Sequence, residues 1–250
     1  MKKVLAVILL FAMVLAFTAC GGSDGGAYKI YEEAANKING AESVSMDFTL
    51  DMKMTREALN DGDMNISMEG PISVVGSGGK IQVHMQAAMD SLGQKNNLTM
   101  YYKDGFAYME MMGSKFKQAL SAEQAMSGAS AKIESFAKSS VKSSKVEDAS
   151  GGKKATLVVK GDAFKDQVNK ALAQEGESRS PDMNFGDATV VVVVDADGNI
   201  QEYSVDMTFD MAIGGTNVKT VMKTKMGNIK IGGITIDFPA DLSSYQEMTA

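Results

Sequence analysis

One cysteine, one histidine and no tryptophan occur in 250 residues. A lone thiol, Cys20, leaves no intramolecular disulfide to form, so the fold must be stabilised by burial alone. A lone histidine, His84, leaves histidine-based triads without parts. The apolar run Val4–Phe17 falls short of the roughly 20 residues a membrane-spanning helix needs. Positive charge is also scarce: 25 Lys and Arg face 31 Asp and Glu, a formal charge of −6. That balance withholds the basic footprint nucleic acid requires and disfavours electrostatic docking on anionic lipid.

What is present begins with Lys2 and Lys3, the apolar run, then the small residues Thr18 and Ala19 before Cys20. This order predicts a secretory signal peptide over residues 1–19. The stretch "GGSDGGA" after the cysteine predicts a flexible tether over 20–27, reaching about 15 Å. "FTAC" resembles the lipobox of bacterial lipoproteins, with Phe17 where that family prefers leucine. The resemblance implies that Cys20 is acylated and starts the mature chain. It places the protein outside the cell membrane, held there by acyl chains. Residues 28–250 are then expected to form one domain.

"YKIYEEAANKINGAES" predicts a helix with Ile30, Ala34, Ala35 and Ile38 on one face, stopped at Asn39-Gly40. From there the period becomes two. Met46, Phe48, Leu50, Met52 and Met54 alternate with Asp47, Thr49, Asp51 and Lys53. Met64, Ile66, Met68, Ile72 and Val74 follow the same rule, as do Ile81, Val83, Met85, Ala87 and Met89. Leu98, Met100 and Tyr102 lead to the hairpin signal Asp104-Gly105, after which the return strand carries Phe106 and Tyr108. Such alternation belongs to antiparallel sheet with one wet and one buried face.

Two helical stretches interrupt the strands, one from the capping-box pair Ser121 and Gln124, one from Asp162 to about Gln174. "ATVVVVVD" is apolar on both faces and predicts a central strand covered on both sides. Asp197-Gly198 predicts a second hairpin. Tyr203, Val205, Met207, Phe209 and Met211 then alternate with acids and hydroxyls, a further strand spans about 217–230, and "GITIDFP" is expected to end the sheet. The predicted class is α+β, a curved antiparallel sheet of about eleven strands, an incomplete barrel around a few helices.

This order of elements, with the hairpin "YYKDGFAYMEMMGSKFK", resembles the LolA/LppX-like lipoproteins and carriers, and a group of uncharacterised Gram-positive lipoproteins more closely. The resemblance implies an apolar cavity between sheet and helices, which members with known roles fill with acyl chains or lipoprotein lipids. Methionine is abundant, 20 residues. Flexible thioethers suit a surface that repacks around varied apolar partners, and equally suit ordinary core filling. The expected lining is Phe48, Leu50, Met52, Met68, Met85, Met100, Tyr102, Met207 and Phe209.

Other motifs lack the parts their chemistry needs. "DADGN" at 195–199 hints at a calcium loop, yet counting from Asp195 puts neither glycine sixth nor glutamate twelfth. "SSVK", Ser139 to Lys142, has the spacing of penicillin-interacting enzymes without their partner elements. Methionine groups such as Met52 with Met54 could hold Cu(I), but His84 and Met85, as strand neighbours, point to opposite faces. His84 is expected on the solvated face beside Gln82 and Gln86. No residue is assigned to catalysis, to a metal or to a cofactor. The expectation is a non-enzymatic lipoprotein with a membrane and an apolar ligand, a lipid, as partners. The alternative is a surface interaction or sensor module with a filled core.

Overall fold

A computed structural model of the chain describes residues 26–56, 63–77, 80–91, 93–122, 125, 133, 136–165, 183–213 and 216–247. Cys20, the signal segment and nearly all of the tether lie outside these residues. So do most of the stretch after Ser121 and the second predicted helix beyond residue 165.

The alternating stretches form thirteen strands: β1 (Ser43–Arg56), β2 (Asp63–Ser77), β3 (Lys80–Ser91), β4 (Gln94–Lys103), β5 (Phe106–Met111), β6 (Ser114–Ala119), β7 (Val141–Ala149), β8 (Gly152–Val159), β9 (Met183–Phe185), β10 (Ala188–Asp195), β11 (Ile200–Ile213), β12 (Thr216–Ile231) and β13 (Gln246–Glu247). They make one curved, open sheet in the order β13-β6-β5-β4-β3-β2-β1-β12-β11-β10-β8-β7. β9 continues the line of β10 by pairing with β11 at Phe209–Met211. Every pairing is antiparallel except that of β13 with β6. The α+β class and the open barrel stand; β9 and β13 are short strands that the sequence pattern did not mark.

The sheet is two meanders, β1 to β6 and β7 to β12, joined where β1 pairs with β12. Bulges interrupt the register between Ser45 and Asp47, between Val141 and Ser143, and between Val193 and Val194. Each bulge raises the local twist and bends the sheet. In β2 the ladder to β3 lapses at Gly70-Pro71 without a register shift. Pro71 has no N–H to give, and a Cβ on Gly70 would stand 2.0 Å from the Gln86 carbonyl oxygen.

One helix, α1 (Ala27–Asn39), lies on β7, β8 and β10. Ala27, Tyr31, Ala34, Ala35 and Ile38 recur at helical spacing and are buried. The small alanines allow close approach to Ala155, Leu157, Val159, Val190 and Val192, which are all fully buried. Each such valine or leucine contributes roughly 1.5–3 kcal/mol by leaving water. The helix also fixes the segment around Phe136. Tyr31 stacks on Phe136 at 4.3 Å, the Tyr28 hydroxyl donates to the Phe136 carbonyl at 3.0 Å, and the Asn39 amide both donates to and accepts from the Ile133 backbone.

Two expectations need correction. β10 is covered on one face only: Val190 and Val192 are fully buried, while Val191 and Val193 are half-buried. "GITIDFP" is not a strand. Residues 232–245 instead form a strap over the outer face, starting where Gly232 and Ile234 bond to Ser43 and ending where β13 joins β6. Ile234, Ile236 and Phe238 are half-buried while Thr235 and Asp237 are exposed, which explains the strand-like alternation.

Candidate functional site

The long strands outrun the short ones. β1, β2, β11 and β12 have 14, 15, 14 and 16 residues, against 8 each in β8 and β10. The cross-strand register then sorts the inner face into rows. Val44, Val74, Val83, Tyr102 and Ala107 make one row, and Met46, Ile72, Met85, Met100 and Met109 the next. Most of these residues are buried in the common core.

Further along, the rows change character. Leu50 lies opposite Met68, which lies opposite Met89; Met52 lies opposite Ile66; Met54 lies opposite Met64. All seven are half-buried, and none belongs to the core cluster. On the β11–β12 side of the same rows, Met207, Phe209 and Thr220 are buried and Met222 is half-buried, and Val218, one row further on opposite Arg56, is buried. The far end of the inner face is thus an apolar surface with a mostly buried wall on β11 and β12 and a more open, methionine-rich wall on β1 to β3.

The nine expected lining residues divide between these regions. Met85, Tyr102, Met207 and Phe209 are buried in the core, and Phe48 and Met100 pack against it. Leu50, Met52 and Met68 lie on the open wall. Met54 and Met64, named in the alternation but left out of the lining, belong there too. Thr220 was missed altogether, although Lys219, Lys223 and Lys225 mark the wet face of β12 and so assign Val218, Thr220 and Met222 to the other.

Thr220 is the unusual member. It sits between Phe209 and Met54 in the register and is fully buried. Its hydroxyl has no hydrogen-bond partner among the described residues. Thr224, two places along the same face, does have one, donating to the Val205 carbonyl at 3.4 Å.

The outer face is polar. A concavity of about 780 Å³ is lined by outward residues, among them Asp51, Lys53, Asp63, Ser67, Asp90 and Lys223, together with Met52 and Ile66. Lys53 pairs with Asp63 at 2.6 Å and holds its carboxyl below the usual range. At the 195–199 turn, the Asp195 carboxylate accepts from the backbone N–H groups of Asn199 and Asp197, which lowers its pKa. That loop is a hairpin, as its composition predicted. Phe106 and Tyr108 also face outward: they lie opposite Lys103 and Tyr101, whereas Ala107 and Met109 point in.

His84 departs from its expected solvated state. It shares the outer face with Gln82 and Gln86, but stacks on Tyr101 at 4.5 Å, and Tyr101 in turn meets Phe238 of the strap. The His84 Nε2 is buried without a partner among the described residues, and burial lowers the imidazole pKa. The strap is anchored further on by Tyr245, which packs edge-on against Tyr108, and by an Asp241–Lys115 pair at 2.7 Å.

Among solved structures, the chain is similar to LprF from Mycobacterium bovis, with 13% identity over 86% of this chain and 97% of that one, at a TM-score of 0.39. The lipoprotein LppX from Mycobacterium tuberculosis shows 10% identity over 80% and 94%, at a TM-score of 0.35. A LolA superfamily protein from Nitrosomonas europaea shows 9% identity over 86% and 96%, at a TM-score of 0.27. No functionally curated protein matches the sequence. Residues 26–244, from the first turn before α1 to the end of the strap, match a family described as a family of unknown function, DUF6612, and the chain belongs to that family.

Proposed function

We propose that this protein is a membrane-anchored lipoprotein that holds an apolar ligand, a lipid, on the apolar surface at the far end of the inner sheet face. The observation that carries the reading is the contrast within single strands. In β1, Met46 is buried while Leu50, Met52 and Met54 on the same face are half-buried outside the core. These partly exposed apolar side chains adjoin one another across β1 to β3, and contiguous apolar surface of this kind supports a binding role. Methionine suits a disordered hydrocarbon partner because its side chain adapts to irregular shapes.

Acylation at Cys20 would keep this apolar face at the membrane surface, where such a ligand is abundant. The chain acts by binding rather than by catalysis in this reading. Native mass spectrometry of the full acylated protein, released from its own membranes, is expected to show a bound lipid in stoichiometric amount. A protein that emerges free of lipid, with its open wall protected from hydrophobic photoprobes, overturns the proposal and favours a surface interaction module.

A further inference from the structure

We infer that the hairpin tip at Met111 and Met112 dips into the surface of a lipid bilayer and holds the domain to the membrane at a second point. This rests on the membrane anchor proposed above, but not on a lipid bound to the inner face. β5 is closed at both ends by two-residue turns of one geometry. Asp104 and Gly105 have φ of 52° and 84°, and Met112 and Gly113 have 52° and 77°. Hairpins prefer this turn, and it favours Asn or Asp before Gly because those side chains tolerate positive φ best. Among the described residues, the non-glycine residues with positive φ are Asp104, Asn228 and Met112. Methionine is the misfit. Met112 is 74% exposed and Met111 41%, and neither belongs to the core. A turn residue that is unfavourable for the backbone and shows its apolar side chain to water points to a use outside the fold.

The partner that fits is a lipid surface. Two side chains at the apex of a turn offer far less area than the roughly 1,200–2,000 Å² of a stable protein interface. A bilayer needs no matching shape, and each apolar side chain that leaves water contributes on its own. The shoulder below the apex is polar, with Lys95 and Glu110 of opposite charge beside Asn96 and Asn97. An apolar tip above a shoulder of mixed sign suits zwitterionic headgroups. The direction of the chain agrees. α1 runs from Gly26, where a Cβ would lie 3.2 Å from Val146, toward the 195–199 turn, where Lys37 donates to the Gly198 carbonyl at 2.5 Å. That turn and Asp104-Gly105 close one end of the sheet, and Met112-Gly113 closes strands at the other. The segment bearing Cys20 therefore meets α1 at the end turned away from the 195–199 hairpin, on the side of Met112. A tether reaching about 15 Å would keep the tip at high effective concentration beside the bilayer, so two side chains suffice.

The test uses the full acylated chain in vesicles of phosphatidylcholine. Acylation occupies the one native thiol, so Met112→Cys and, separately, Asp104→Cys each offer a single site for a bimane label. The label at 112 is expected about 5–10 Å inside the headgroup boundary, quenched by lipid-borne nitroxide and shielded from aqueous iodide. The label at 104 is expected to show the reverse. Met112→Asn should raise the thermal unfolding midpoint by about 1–3 °C, since asparagine visits the left-handed region at less cost. On vesicle-bound protein, a label at 112 as open to iodide as the one at 104 overturns the inference and leaves the anchor standing. If that label is shielded only in native membranes, the tip meets a protein and the inference is again overturned. A lower midpoint for Met112→Asn, which would show that the methionine serves the fold, counts against it equally. If the acylated chain does not bind vesicles at all, the anchor fails and the inference with it.

Discussion

The two ends of the inner sheet face are made from the same alternation but do different work. Beneath α1, Leu157, Val190 and Val192 meet helix alanines and leave no surface exposed. At the far end of β1, β2 and β3, Leu50, Met52, Met54, Met64, Ile66 and Met68 remain half-buried. The chemistry differs in step: short branched side chains where the fit is fixed, flexible thioethers where it is open. Branched residues lose little entropy on packing, whereas methionine keeps rotamers to lose, which favours it where the partner varies. In the proposed reading, stability and binding are assigned to different ends of one sheet.

That division can be broken most severely at the closed end. Leu157→Ala should cost about 2–5 kcal/mol, because its surroundings on β8, β10 and α1 are too well filled to collapse. Thermal unfolding should show a midpoint lower by about 5–15 °C. The paired change Met54→Ala with Met64→Ala should cost about 1–2 kcal/mol per site, less than Leu157→Ala, since both side chains keep part of their surface in water. It should instead lower lipid occupancy in native mass spectra. A stability loss at Met54 and Met64 equal to that at Leu157 would erase the distinction between the two ends.

The smallest expected effect sharpens a second contrast, between the strapped outer face and the bare one. Burial lowers the His84 pKa in the folded state, so the unfolded chain binds a proton more readily. Stability contributed by neutral His84 is present above the unfolded value of about 6.5 and is lost as pH falls below it toward the folded value. His84→Gln should flatten this part of a plot of unfolding midpoint against pH between about 7.5 and 5. An unchanged plot would show that the strap leaves His84 as free as an unstrapped residue.

The alternation in β1 to β4 was legible because acids, lysines and hydroxyls mark every wet position there. The thickness of cover was not. "ATVVVVVD" suggested two covered faces, but its second face is only half-buried, since valine is tolerated on a partly wet strand. "GITIDFP" looked like a strand because Ile234, Ile236 and Phe238 alternate against the sheet, and nothing local says that the backbone pairs with no neighbour. The lining residues were found as a face, not as a site. Which of Met46 and Met52 is buried is decided by what packs over each, and that is tertiary information. Thr220 was passed over because threonine is ordinary in strands; only its missing partner distinguishes it.

The seam between β1 and β12 joins the first and last long strands, with Leu50 opposite Thr224. As the chain is made from its N-terminus, β1 to β6 can zip by local hairpins, while β1 waits with one edge unpaired until nearly the whole chain has followed. Such long-range closure is slow, because loop entropy is lost before the contacts form. During that wait, β1 presents an apolar, methionine-rich edge able to pair with another chain. The late-arriving β12 therefore serves as the folding checkpoint, and a truncation before Thr216 should leave a species prone to aggregate rather than a smaller working domain.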